Sequence, residues 1–292
     1  MRVTSLAEFI KTHVVEINSN EFTKVYEDAN TSLYYPASTE KLTELFLDAG
    51  IKPLEYMKEV PKQYLDHSKI TDVEIPNNIT SIRGFAFRYC RGLTTITIPN
   101  SVTSIGYLAF YGCDGLTSII IPDSVKEIGD FAFWSCDNLK SVTIGNGVTS
   151  ISREAFSNCE GLASVIIGSG VRNIDPYAFS RCKGLTSIII PDNVISLDNY
   201  AFWSCEGLKS VTILGNIKSI NEHVFDGCKE LKNVTIPGSV TSIYESAFWG
   251  CRGLTITFNG TQAQWDTIKK EPKWKYASSK FTVHCTDGDL KE

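Results

Sequence analysis

The stretch Val102–Pro122, VTSIGYLAFYGCDGLTSIIIP, decides the fold, because the chain keeps repeating it. Its cysteine belongs to the series Cys90, Cys113, Cys136, Cys159, Cys182, Cys205, Cys228 and Cys251, each 23 residues after the one before. Three positions before each stands Phe87, Phe110, Phe133, Phe156, Phe179, Phe202, Phe225 or Phe248. Three positions after each stands Leu93, Leu116, Leu139, Leu162, Leu185, Leu208, Leu231 or Leu254. A fixed period in the twenties marks a solenoid in which each repeat is one coil.

Inside the coil, Leu116, Ile119 and Ile121 recur as Leu93/Ile96/Ile98 and Leu139/Val142/Ile144. β-Branched residues two apart, with Gly before and Pro or Gly after, predict a short strand with its apolar positions inward. The positions between face outward and are mostly Ser and Thr, as at Thr95/Thr97, Ser141/Thr143 and Ser210/Thr212. Pro122-Asp123-Ser124 has turn chemistry. Val125 and Ile128 then form a second, shorter apolar segment, and Ala132 and Phe133 lead back to Cys136. A lone coil cannot cover its own apolar side chains, so stacking is obligatory. With strands about 4.8 Å apart, the stack is a rod on the order of 40 Å long, with one parallel sheet along its side.

These residues resemble the BspA-type leucine-rich repeat family, whose hallmark reads VTSIGYLAFYGCDGLTSIIIPDS in this chain, over roughly Ile70 to Phe258. The resemblance implies an α/β repeat solenoid: a β-rich, right-handed superhelix of 23-residue coils with one parallel β-sheet and helical N- and C-terminal caps. Departures are small. Leu197 and Ile217 replace the usual Ile and Val, Val224 replaces Ala, and the last strand, Leu254 to Phe258, is one residue short. A partial coil, Ile70 to Pro76, opens the array, with His67 where its cysteine belongs. The expected organisation is a cap or docking domain over 1–69, the solenoid over 70–258 and a C-terminal cap over 259–292.

Residues 1–69 do not follow the repeat. Ser5 and Glu8 have capping-box spacing for a helix through about Val15. Residues 17–36 carry aromatic-rich pieces around Tyr26 and Tyr34 that read as short strands or loop. Ser38 opens a second helix with Leu42, Leu45, Phe46 and Ala49 at helical spacing, and Pro53 and Pro61 suit the first positions of two more. This leader resembles those on repeat proteins encoded by gut bacteria and their phages. At the other end, Thr261 and Gln264 predict a helix through Trp265 and Ile268, and Phe281–Cys285 a final strand with a turn at Thr286 to Gly288.

With 42% apolar residues and a formal charge of −5, the composition is that of an ordinary globular chain without the basic face nucleic acid asks for. No apolar run is long enough to span a membrane, and MRVTSLAEFIKTH lacks the pattern of a secretory signal. The cysteines read as a structural stripe of small core side chains, with neither CxxC nor a His-containing ligand spacing to suggest metal. Free thiols point to a reducing compartment. His284 and Cys285 are strand neighbours and face opposite sides. Gly168-Ser-Gly170 lacks the third glycine of a phosphate loop. Asp114, Asp137, Glu160 and Glu206 alternate with Arg91, Lys183, Lys229 and Arg252, which describes a solvated edge. No catalytic set, cofactor site or metal site emerges.

Surface remains. Ile120, Ile166 and Ile189 break the Ser/Thr pattern of the outer strand face. Tyr111, Trp134, Trp203 and Trp249 follow the phenylalanines where other coils have Arg88, Ser157, Ser180 and Asp226. Large aromatics at variable positions either anchor an interface or shield the coil turns. The expected function is a non-enzymatic protein-binding module using these seven residues, with a protein partner, no cofactor and no nucleic acid. The expected setting is the cytoplasm, or a host's cytoplasm if the chain is phage-encoded and aimed at a host or defence protein. A bacterial cell-surface adhesin, which the family resemblance implies, and a phage particle component are the alternatives.

Overall fold

The computed structural model describes residues 71–275 and 281–291, and the backbone of the strands Val14–Ile17, Thr23–Asp28, Thr31–Tyr35 and Glu59–Val60. Each solenoid coil holds one long strand and one two-residue strand, as in Ser118–Ile121 followed by Glu127–Ile128. Long strands pair in parallel at an interval of 23, with Val142 opposite Ile119 and Val165. The shorter apolar segment also forms a parallel ladder, with Ile105 opposite Ile82 and Ile128. One sheet was expected and two lines of pairing are present. Val125 and Ile128 both turn inward, and the extended pair Glu127–Ile128 meets its copy, Ser104–Ile105, in the preceding coil.

The ladders are interrupted in a staggered way. The long pairing is missing between Thr95–Thr97 and Ser118–Ile121 and between Ser164–Ile167 and Ser187–Ile190. The short pairing is missing between Glu127–Ile128 and Ser150–Ile151 and between Ser196–Leu197 and Ser219–Ile220. Wherever one line is open, the other is closed: Ser104–Ile105 pairs with Glu127–Ile128, and Asn173–Ile174 with Ser196–Leu197. Every junction between described coils therefore keeps at least one ladder.

A third line of coil-to-coil bonds runs through the return segment. Phe85, Phe87 and Tyr89 donate their N–H groups to the carbonyls of Tyr107, Ala109 and Tyr111 at 2.9, 2.7 and 2.6 Å, while Ala86, Arg88 and Cys90 bond back within the coil. Aiming alternate amides at the neighbour takes left-handed backbone at bulky residues. Phe85 (φ 65°), Phe131 (58°), Tyr177 (60°) and Tyr200 (61°) all hold it. That conformation is uncommon outside glycine, and the bonds to the next coil stabilise it here.

The core is one continuous column. Phe87, Phe110, Phe133, Phe156, Phe179, Phe202, Phe225 and Phe248 are fully buried and stack nearly parallel, with centroids 4.9–5.8 Å apart. Trp274 meets the last ring edge-on at 6.1 Å and closes the stack.

The ends differ from the helical caps expected. Val14 and Val15 lie in strand Val14–Ile17, which pairs antiparallel with Thr23–Asp28, itself paired with Thr31–Tyr35. Adjacent β-branched valines are stiff and suited to strands, so the helix expected from Ser5 does not extend through Val15; its earlier residues lie outside the described ones. The helix placed on Leu42–Ala49 and those at Pro53 and Pro61 fall outside the described residues. At the C-terminus the capping box at Thr261 and Gln264 is formed, but its helix, Gln262–Thr267, is six residues long. The rest is strand. Lys269–Lys270 extends the short ladder and Phe281–Cys285 the long one. Gly288–Lys291 folds back antiparallel on the last strand. A chain that continues two existing ladders satisfies its backbone by pairing, and this leaves little of it to coil into helix.

Phe156→Ala removes a ring flanked by two others at 5.1 and 5.5 Å that cannot close the void. The expected loss is about 3–5 kcal/mol in denaturant unfolding; an unchanged midpoint would contradict this account of the core.

Candidate interaction surface

The outer strand face is built by alternation. In Ser118–Ile121, Ile119 and Ile121 are buried while Ser118 and Ile120 are exposed. Ile120, Ile166 and Ile189, the three sequence candidates on this face, stand 68%, 60% and 61% exposed to solvent. Thr143 lies in register between Ile120 and Ile166. Ile166 and Ile189 flank the junction where the long ladder is open. A cleft of about 490 Å³ lies there, lined by Ile166, Ile189 and Leu214 together with the inward-facing Val165 and Ile167. Leu214 was legible in the sequence, since it occupies the corner where other coils have Pro99, Pro122, Gly145, Gly168, Pro191 or Pro237. Ile195 and Tyr107 are further exposed apolar side chains that pattern reading passed over.

The aromatic candidates are arranged differently. Tyr111 stacks on Trp134 at 4.9 Å and takes Tyr89 edge-on at 4.8 Å, with the Arg88 guanidinium 5.3 Å away. Trp203 meets Tyr177 and Tyr200 edge-on, and Arg181 lies 4.8 Å over it. Tyr111, Trp134 and Trp203 are thus half-buried by their own neighbours, and Trp249, at 37%, is more open. A second column, Tyr177, Tyr200 and His223, stacks at 4.6 Å spacing beside them. Tyr111 and Trp134, and Tyr177, Tyr200 and His223, thus turn ring faces toward one another.

The cysteine column has a structural explanation. Each thiol from Cys113 to Cys251 points at the carbonyl of the phenylalanine 26 residues earlier, as Cys136 does to Phe110 at 3.2 Å and Cys159 to Phe133 at 3.1 Å. Cysteine is small enough for the site and donates a weak hydrogen bond there. Burial pushes Cys90, Cys205 and Cys251 up to about 12 and holds Cys136, Cys159, Cys182 and Cys228 well above an ordinary thiol. Groups held protonated in this way are poor nucleophiles. The carboxylates beside them form the expected mixed edge. Arg91 pairs with Asp114, Lys183 with Glu160 and Lys229 with Glu206 at 3.3, 2.6 and 3.0 Å, all solvent-exposed. Asp137 is raised by partial burial and by the charges of Asp114 and Glu160. His284 and Cys285 part as strand neighbours do: His284 reaches Asp289 at 2.6 Å, and Cys285 packs on the edge of the core. No helix of the described residues is long and apolar enough to cross a membrane.

Stacked coils with parallel ladders and an inward stripe of Leu, Phe and Cys define a leucine-rich repeat solenoid. The chain belongs to the BspA type leucine rich repeat family, whose model (6 copies) matches residues 58–186 and 149–268. Among solved structures it is similar to a leucine rich repeat protein of T. pallidum, 26% identical, covering 73% of this chain and 86% of that one with a TM-score of 0.53. A leucine rich cell surface protein of Faecalibacterium prausnitzii is 23% identical, with 88% and 98% coverage and a TM-score of 0.38. The pneumococcal vaccine antigen PcpA is 16% identical, with 80% and 72% coverage and a TM-score of 0.45. A comparison with curated proteins finds no match.

Two measurements check the thiol column. A thiol reagent near neutral pH should titrate the half-exposed Cys285 and leave the eight buried cysteines until the protein is unfolded, when nine react without reductant. Fast reaction of several, or fewer than nine on unfolding, would contradict a column of free buried thiols. For Cys205 the folded value of about 12 lies above the ordinary 9.0, so its contribution to stability is complete below pH 9.0 and is lost as pH rises toward 12. The thermal midpoint should fall over that interval, and less steeply in Cys205→Ala.

Proposed function

We propose that this chain is a non-catalytic scaffold that binds a protein partner on the outer strand face of its solenoid. The observation that carries the reading is the exposure of Ile120, Ile166 and Ile189 on a face whose other positions are mostly Ser and Thr. Apolar side chains that a coil does not need for its own core gain from burial against a second surface. Of the aromatic set, Tyr111, Trp134 and Trp203 serve chiefly to cover the coil turns, a reading that their ring contacts support, while Trp249 stands more open. The column of unpaired thiols supports a reducing interior, bacterial or that of a phage-infected host, as the working compartment.

Affinity capture from a bacterial lysate followed by binding measurement tests the reading. Ile120→Glu should abolish retention of the partner while circular dichroism stays unchanged, because the charge would be desolvated against the partner without a counter-ion. Trp203→Ala should leave retention intact. The reverse result, loss with Trp203→Ala and none with Ile120→Glu, would move the interface to the coil turns and overturn the strand-face reading.

A further inference from the structure

The open junction between Ser164–Ile167 and Ser187–Ile190 differs from its neighbours in ways that point to a guest. Entering the long strand, Lys140 donates its backbone N–H to Thr117, Ala163 to Lys140, Lys209 to Thr186 and Lys232 to Lys209, at 2.8–3.0 Å. The corresponding bond from Thr186 to Ala163 is not made. Bonds on either side confine the opening: Gly184 N–H to Glu160 at 2.9 Å before it, and the Asn193 side-chain amide to Ser169 at 2.6 Å after it. The backs of the same coils are joined through Asn173–Ile174 and Ser196–Leu197. Inside the opening, Val165 and Ile167 are only half-buried. The other inward positions of the long strands from Ile96 to Phe258 are buried.

The lining therefore offers two extended backbones without partners on their facing sides, an apolar floor of Val165 and Ile167, and apolar rims at Ile166, Ile189 and Leu214. One charged side chain, Asp192, stands at the C-terminal end. An apolar small molecule would leave the main-chain groups unsatisfied, and a rigid flat surface would not reach them. A polypeptide in extended conformation supplies N–H and C=O groups at the required spacing, as in strand addition to other sheets. We propose that this seam is a docking site for an extended segment of the partner protein. The segment carries apolar residues at alternate positions, directed at Val165 and Ile167, and a Lys or Arg that meets Asp192. The inference rests on the strand-face reading and narrows it to one seam and one mode of contact. Parting the strands further, toward twice the ~4.8 Å spacing of a closed sheet, pivots the coils about the intact ladder at their backs.

A phage-displayed library of random dodecapeptides, panned on the folded chain, tests the seam. Enriched peptides should show alternating apolar residues with a neighbouring Lys or Arg, and should lose binding to Ile189→Glu but keep it to Ile120→Glu. Asp192→Asn should weaken peptides that carry the basic residue. Synthetic versions N-methylated at alternate amides should bind about tenfold or more weakly, the loss expected of one or two main-chain hydrogen bonds. Successive amides of an inserted strand face its two neighbours in turn, so methylation at the intervening amides should weaken binding to a similar degree. No enrichment, or peptides indifferent to N-methylation and to Ile189→Glu, overturns the seam. If partner capture still depends on Ile120, the strand-face reading survives that failure; if capture depends on neither isoleucine, that reading fails as well. Sedimentation showing a dimer that Ile189→Glu dissolves would make a second copy of the chain the occupant, and would also overturn the proposal.

Discussion

Each coil's apolar side chains are covered by the coils above and below it, and by little else. Phe156 has no partner ring within its own coil; its contacts are Phe133 and Phe179. The same holds for much of the backbone, whose bonds in the long strand and the short strand, and every second bond in the return segment, run to neighbours about 23 residues away. Stability therefore resides in the junctions, and a coil with only one neighbour is incomplete. This explains the aromatic closure at the C-terminal end, where Trp265, Trp274 and Phe281 meet edge-on at 6.4 and 5.3 Å against the last phenylalanine and the last strand. It also explains why strands, more than helix, close that end: the final ladders have open edges that another strand satisfies directly.

The repeating part of the fold was legible because its signal is redundant. Phe, Cys and Leu at fixed spacing in eight coils outweigh any local ambiguity, and the missing residue between Leu254 and Ile256 was visible as a shift of pairing that the structure reproduces, with Val234 opposite Ile256. What was not legible is pairing that leaves no distinctive residue type behind. The two-residue strands around Ile105 and Ile128 are too short to show alternation. The left-handed backbone at Tyr177 and Tyr200 is held by bonds to the next coil and has no signature in tyrosine itself. Val14 and Val15 shared a window with a capping box, and a local motif cannot report a distant strand.

The candidate surface was partly legible for the same reason. Ile166 and Ile189 stood out against a column of Ser and Thr, but the opening between them lies in the geometry of the ladder and not in either residue. Leu214 required comparing corner positions, which pattern reading oriented toward strands did not do. The cysteines illustrate the opposite hazard. As a residue type they suggested chemistry, whereas their contact with the phenylalanine carbonyls of the preceding coil makes them part of the packing.

The constant register also governs how such a chain can change over generations. Deleting or duplicating 23 consecutive residues within the array removes or adds one whole coil and leaves the surviving junctions matched. Deleting one residue inside a strand would instead turn its inward side chains to the outside. Each whole-coil event would slide Ile120 relative to Ile189 by a step of about 4.8 Å along the axis, resetting the spacing of the surface while the interior stays as it was.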